Sequence, residues 1–396
     1  MVDTALIYAH GRGGEPIFGR ALLERNLELC ARAGISRFFV VCNGAHRDEV
    51  ERAMQAFRNR AAVIVLASSD RTSRLKFGLD DSTQCVAFDG NVIFTGAQLN
   101  DAIQSYLDNP SRIVRLASTG GDFSAGLAVG PMTDLLSPGA APIDAASLGG
   151  LLPFALDGRP DDPIEAERRI GITLRDETAW KDGFLAHHLD RRISWRIALM
   201  LARTAITPNQ VTLANTALGL LAATMLALGG YWTVLLAAML LIVSITIDGV
   251  DGELARMKLG ETDFGGKLDA VTDTVANFAM FAGIAIAAYR IGGPIYLKLF
   301  GIFLVGCGCS AATAYWVHKT RAADSQSLLE KLTSRDFVYL VVPFALIGRM
   351  DLMMWTATIG SFIFPIVLWA LTCRRPRRRN FQGEDAVESA GIGTGT

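Results

Sequence analysis

From about residue 193 to residue 373 the chain is mostly apolar, whereas before it short apolar runs alternate with helical patterns. A helix needs about 20 apolar residues to cross a bilayer. Candidate crossings fall at 209–229, 231–253, 268–289, 294–317, 335–349 and 351–373. The fifth is the weakest and opens on Arg335 and Asp336, and Arg349 beside Asp351 marks a tight turn into the sixth. Six crossings place both termini on one side. Arg374, Arg375, Arg377, Arg378 and Arg379 follow the last crossing, and His318, Lys319 and Arg321 follow the fourth. The bias of basic residues toward the cytoplasm puts both ends, and the N-terminal region with them, on that side of an integral inner-membrane protein. The N-terminus shows no secretory signal pattern.

The first part reads as strands at Ala5–Ala9, Arg37–Cys42, Ala62–Ala67, Cys85–Asp89 and Ile113–Leu116, with helices at Phe18–Ala33, Arg47–Arg58 and Ala97–Leu107. Such alternation predicts an α/β, Rossmann-like soluble domain with a mostly parallel sheet and helices on both faces. A turn His10-Gly11-Arg12-Gly13-Gly14 follows the first strand, where phosphate-binding loops commonly sit. The organisation expected is a soluble domain over 1–179, an interfacial helix and linker over 180–206, an all-α six-helix transmembrane domain over 207–373, and a basic, then disordered tail over 374–396.

Composition changes this picture little. At about 150 residues per domain, 396 residues suit two or three units. The mean hydropathy of +0.31 averages two unlike halves. A formal net charge of -1 gives no sign of a nucleic-acid partner, and the six cysteines show no metal-finger or disulfide spacing. Cys307-Gly308-Cys309, inside an apolar run, reads as small-residue helix packing.

The chemistry concentrates in DGVDGELARMKLGETDFGGKLDAVTD, which starts at Asp248. Asp248 and Asp251 are three residues apart and share one helix face; Asp269 and Asp273 are four apart and share a face of the next. All four lie at helix ends bordering apolar segments, where an unpaired carboxylate is very costly. Converging acids call for hard divalent cations such as Mg²⁺ or Mn²⁺, which also bridge phosphate oxygens. The bland alternative is four acids capping or pairing within a helix bundle. Gly249, Gly252, Ala255 and Gly265 keep the neighbouring surface small, so a base and a pyrophosphate can approach the backbone, and Arg256 offers a permanent charge to phosphate.

These residues resemble the CDP-alcohol phosphotransferase family, whose pattern D-x2-D-G-x2-A-R-x8-G-x3-D-x3-D is met at Asp248, Asp251, Gly252, Ala255, Arg256, Gly265, Asp269 and Asp273. The phrase ITPNQVT, where Thr207-Pro208-Asn209 caps the first crossing, also recurs in that family. The resemblance implies a membrane enzyme that moves a substituted phosphoryl group from a CDP-alcohol to an acceptor hydroxyl and releases CMP. It implies two divalent ions held by the four aspartates, CDP bound around Gly252, Ala255, Arg256 and Gly265, and Asp273 as the base. Lys319 and Arg321 are then candidates for an acceptor phosphate, or cytoplasmic anchors. Family members commonly pair, so a homodimer is expected.

The run GRALLERNLELCARAGISRFFVVCNG resembles the sugar-nucleotidyltransferase family, and Asp89 at the end of CVAFDG resembles that family's metal-binding acid. Gly11, Arg12, Gly13 and Asp89 would form the nucleotide site, although Asp89 can equally cap a strand end. The family's lysine after the loop is missing, since Gly14 runs straight into Glu15-Pro16-Ile17-Phe18. This half is therefore either a cytidylyltransferase making CDP-inositol, as in fusions of the two families, or a relative that binds nucleotide or scaffolds the membrane half. In the second case CDP-diacylglycerol becomes a plausible donor and the chain a phospholipid synthase. A non-enzymatic nucleotide-binding membrane protein is the third reading. The segment 180–196, WKDGFLAHHLDRRISWR, is basic with interleaved aromatics and suits an interfacial helix among membrane lipids, with Trp180 and Trp195 at headgroup depth.

Overall fold

The computed structural model describes residues 2–9, 13–42, 47–55, 57, 62–67, 83–110, 113–117, 126–132, 135, 153–156, 159, 161–178, 191–320 and 335–374. The chain divides into two compact units, Met1–Ala222 with Leu236–Met280, and Ala223–Leu235 with Phe281–Thr396.

The first unit contains the α/β region. Its strands are β1 (Thr4–Ala9), β2 (Pro16–Ile17), β3 (Arg20–Ala21), β4 (Arg37–Cys42), β5 (Ala62–Ala67), β6 (Gln84–Asp89), β7 (Val92–Ile93), β8 (Val114–Ala117), β9 (Gly126–Pro131) and β10 (Phe154–Ala155). Helices α1 (Leu22–Arg32), α2 (Arg47–Gln55) and α3 (Gly96–Asp108) alternate with them. The main sheet runs β5-β4-β1-β6-β9-β8. β1 pairs in parallel with β4 and β6, and β4 with β5; β9 is antiparallel to both neighbours. Continuous apolar strands such as RFFVVC suit a sheet covered on both faces. Leu23, Leu27 and Cys30 of α1 and Leu99, Ala102 and Tyr106 of α3 bury against it. The connection from β1 runs to one side through β4 and β5, then returns to the other side at β6. That reversal is a topological switch point, with its crevice at the carboxyl ends of β1 and β6.

The expected strands and helices of this region are present within a few residues of their expected bounds. Three features were not anticipated: β9, the β7–β10 pair and the β2–β3 hairpin. The hairpin turn places Phe18 at φ 50 and Gly19 at φ 78, the backbone of a two-residue primed turn. A phenylalanine there hides the turn from a reading based on glycine and asparagine.

Helices α4 (Asp162–Thr178), α5 (Arg191–Ala202), α6 (Pro208–Leu228), α7 (Tyr231–Lys258), α8 (Asp263–Gly292) and α9 (Ile295–Thr320) follow. Beyond them come a 3-10 helix over Arg335–Leu340, α10 (Val341–Leu346) and α11 (Met350–Arg374). Among the described residues, five helices are long and apolar enough to cross a membrane: α6, α7, α8, and Ile295–Val317 and Met350–Ala370 of α9 and α11. The six-helix expectation therefore stands at five. At its fifth place, the 3-10 helix and α10 together rise about 21 Å, short of an apolar core about 30 Å thick.

In the first unit, Thr207 caps α6 as expected: its hydroxyl accepts from Gln210 N at 3.4 Å, while Gln210 Oε1 accepts from Thr207 N at 3.0 Å. A core of Ile17, Leu22, Ile93, Ile170, Ala198, Val250, Leu254 and Met257 joins the α/β region, α4, α5 and the end of α7. Trp195, expected at headgroup depth, is half-buried on α5, with Arg175 of α4 5.8 Å over its ring. Residues 180–190 of that segment lie outside the described residues.

In the second unit, α9 and α11 pack closely. Ser310 Oγ donates to the Ser361 carbonyl at 2.9 Å, and a Cβ on Gly306 would overlap Ser361. The close approach uses Gly306 and Ser310, whereas Cys307 and Cys309 are exposed.

Candidate metal and phosphate site

The site forms where the C-terminal half of α7 meets the N-terminal half of α8. Oxygens of Asp248, Asp269 and Asp273 lie within 4.8 Å of one another, and all three residues are half-buried. Asp251, one turn along α7 and 8% exposed, lies in electrostatic range of both Asp269 and Asp273. The two pairs, separate in sequence, therefore come together as their helical spacing implies. The charged groups acting on Asp269 are themselves acids, Asp251 and Asp273.

Helix α6 supplies a polar layer behind the acids. Thr212 Oγ1 donates to Asp251 Oδ2 in a short hydrogen bond, and Asp251 Oδ1 accepts from Gly252 N at 2.6 Å. Asn215 Nδ2 donates to Asp248 Oδ1 at 3.4 Å while its Oδ1 accepts from Ser244 Oγ at 2.8 Å. Thr212, Asn215 and Ser244 were missed in the sequence. The signal for two of them was there: Thr212 and Asn215 stand three apart on one face of α6, with Thr212 closing the phrase ITPNQVT.

The space around the small residues is narrow. A methyl on Gly265 would lie 3.1 Å from both Asn209 Oδ1 and Thr262 Oγ1, and one on Gly252 would lie 3.5 Å from Arg256 Nη1. Ala255 and Arg256 are half-buried on the same stretch of α7. The donor set is all oxygen, anionic and clustered, with further lone pairs anchored by Thr212 and Asn215. That fits hard divalent cations.

Residues 205–370 match the family model described as CDP-alcohol phosphatidyltransferase. They belong to that family. The family match spans the helices that carry all four aspartates. The chain is 34% identical over 166 residues to the bifunctional IPC transferase and DIPP synthase of Thermococcus kodakarensis, covering 41% of this chain and 36% of that protein. Its namesake in Aquifex aeolicus is 31% identical over 198 residues, covering 48% and 43%. The chain thus spans under half the length of these relatives. The phosphatidylinositol phosphate synthase of Corynebacterium glutamicum is 26% identical over 196 residues, covering 47% of this chain and 86% of that protein. Among solved structures, the inositol-1-phosphate CTP transferase from T. maritima covers 34% of this chain and 72% of its own at 13% identity and a TM-score of 0.25, a likeness that carries no functional weight.

Of the other expected positions, Lys319 lies exposed near the end of α9 in the second unit, and Arg321 lies outside the described residues. Gly11 and Arg12 also lie outside them. Gly13 and Asp89 stand at the switch point. The Gly13 carbonyl accepts from Leu23 N at 2.8 Å, and a Cβ on Gly13 would lie 3.9 Å from the Gly90 carbonyl. Gly90 N donates to the Tyr8 carbonyl at 2.7 Å, which sets the end of β6, with half-buried Asp89, directly beside β1.

Proposed function

We propose that the chain is an integral membrane CDP-alcohol phosphotransferase, with Asp248, Asp251, Asp269 and Asp273 holding two Mg²⁺ or Mn²⁺ ions. The observation that carries this reading is the convergence of carboxylates from α7 and α8, with Asp251 and Asp273 both acting on Asp269, inside the family-matched residues. Bound there, divalent cations neutralise a diphosphate and stabilise the charge that grows on the phosphoryl oxygens.

The chain's own residues do the rest. Gly252, Ala255 and Gly265 leave the backbone open to the CDP moiety, and Arg256 adds a fixed positive charge toward its phosphates. Asp273 takes the proton of the acceptor hydroxyl. The acceptor oxygen attacks the β-phosphorus, a new P–O bond forms, and the bond to CMP breaks, so CMP leaves with the electron pair. Thr212 and Asn215 hold Asp251 and Asp248 in fixed rotamers throughout.

The phosphatidylinositol phosphate synthase of Corynebacterium glutamicum is named for inositol chemistry, so an inositol phosphate or inositol-derived acceptor is the reading adopted. Gly13 and Asp89 at the switch point favour nucleotide binding by the α/β region, with Gly11 and Arg12 completing the loop. The α/β region lies on the cytoplasmic side, and copies of the chain pair within the membrane.

The test is to incubate the purified full-length chain with Mg²⁺ and either CTP plus inositol phosphate or CDP-diacylglycerol plus inositol phosphate. CDP-inositol formation identifies an active α/β region, and a phosphorylated inositol lipid with CMP identifies a lipid synthase. No CMP from any CDP-alcohol sinks the transferase reading.

A further inference from the structure

The turn between α7 and α8 joins the two aspartate pairs, and its backbone is unusual. Gly260 N donates to the Ala255 carbonyl at 2.8 Å and Leu259 N to the Arg256 carbonyl at 3.3 Å, the bonding pattern of a Schellman cap. The residue that takes the left-handed conformation in such a cap is usually glycine. Here it is Leu259, at φ 51, although a glycine stands one position away. A leucine in that conformation is strained by its Cβ, so its side chain must gain more than the strain costs where it lands. It lands in the hydrophobic core of the α/β region, 8% exposed, in the cluster that contains Leu27, Cys30 and Leu99.

Two arginines of α1 reach the same turn. Arg25 Nη1 donates to the Met257 carbonyl at 2.6 Å, and Arg32 donates through Nη2 to the Leu259 carbonyl at 2.5 Å and through Nη1 to Glu261 Oε2 at 3.0 Å. They meet carbonyls at the negative end of α7, which explains why a guanidinium as buried as Arg25, 3% exposed, is tolerated there. Burial lowers its pKa to about 10, so it stays charged at neutral pH. The other end of α1 hangs from the glycine loop, through Leu22 N to the Glu15 carbonyl at 3.0 Å and Leu23 N to the Gly13 carbonyl at 2.8 Å.

We infer that the α/β region is a working part of the membrane site: Arg25, Arg32 and Leu259 are positioning residues that fix the α7–α8 turn and so the meeting of Asp248 and Asp251 with Asp269 and Asp273. This rests on the metal-site reading above. It assigns a role to α1 whether or not the α/β region performs chemistry of its own.

The test is Mn²⁺ binding to the purified full-length chain, followed by electron paramagnetic resonance, for the wild type, Leu259→Gly, Arg32→Gln and Arg25→Lys. Leu259→Gly relieves the backbone strain while withdrawing the side chain from the core, and Arg32 is a surface residue; circular dichroism and a thermal melt select folded protein of each variant for the titration. Each weakens Mn²⁺ about tenfold, the size of effect seen for groups that orient metal ligands. Arg25→Lys keeps a charged donor and stays nearer the wild type. Wild-type affinity in both Leu259→Gly and Arg32→Gln, or no saturable Mn²⁺ binding by the wild type, overturns the inference. CMP release, measured separately, reports on the transferase reading, so either can fail alone.

Discussion

Asp269 in the first unit and Asp351 in the second both sit on long apolar helices, and the protein treats them in opposite ways. Asp351 is 5% exposed and takes two hydrogen bonds from Arg349, at 2.9 and 2.8 Å, two residues away. Its charge is satisfied by its own turn. The charged groups acting on Asp269 are two further acids, Asp251 and Asp273, while the arginine of this stretch, Arg256, acts on Asp251. An acid paired locally is architecture, closing the α10–α11 turn. Acids gathered against one another, with hydroxyl and amide donors behind them, have the donor chemistry of a cation site.

The largest expected break in this comparison is Asp269→Asn, which lowers CMP release by about a thousandfold by removing a ligand from the charge-stabilising centre. Asp351→Asn, by contrast, lowers the unfolding midpoint and leaves CMP release per folded molecule unchanged. Equal losses of activity in the two variants would erase the distinction.

A smaller effect is expected one layer out. Thr212→Val keeps the shape of the side chain and removes the hydroxyl that Asp251 accepts from. The Mg²⁺ concentration for half-maximal CMP release rises about tenfold, with the maximal rate at saturating Mg²⁺ mostly retained. An unchanged Mg²⁺ dependence would make Thr212 a packing residue only.

The smallest effect lies in the α/β core. Burial pushes the Cys85 thiol up to about 12 and raises Cys30 as well. Both thiols therefore stay protonated in the folded chain near neutral pH, and a thiol-reactive probe at pH 8 modifies them only once denaturant opens the α/β region. The linkage has a sign. The unfolded thiols ionise near pH 9 and the folded Cys85 thiol near 12, so its contribution to stability is complete below pH 9 and is lost between 9 and 12. Rapid labelling of Cys85 in the native chain would contradict the packing of β6.

Much of this was legible in the sequence because it is written in short periods. Helix spacing put each aspartate pair on one face, apolar length marked α6, α7, α8, α9 and α11, and alternating runs marked β1, β4, β5 and β6. Whatever depends on distant partners was not legible. Arg25 and Met257 are 232 residues apart, and neither the buried arginine nor the strained Leu259 carries a local pattern that names the other. Strand β9 escaped because GLAVGP opens on a glycine, closes on Gly-Pro and pairs antiparallel in an otherwise parallel sheet. Asn215 and Ser244 escaped because, taken singly, each reads as helix packing; only their bonds to each other and to Asp248 give them a role.

The most direct test of the central claim is anomalous scattering from crystals of the full-length chain grown with Mn²⁺ and a CDP-alcohol. The account predicts two Mn²⁺ peaks among the oxygens of Asp248, Asp251, Asp269 and Asp273, both in contact with the diphosphate. A diphosphate bound without metal at these carboxylates, or Mn²⁺ found only elsewhere, would contradict it.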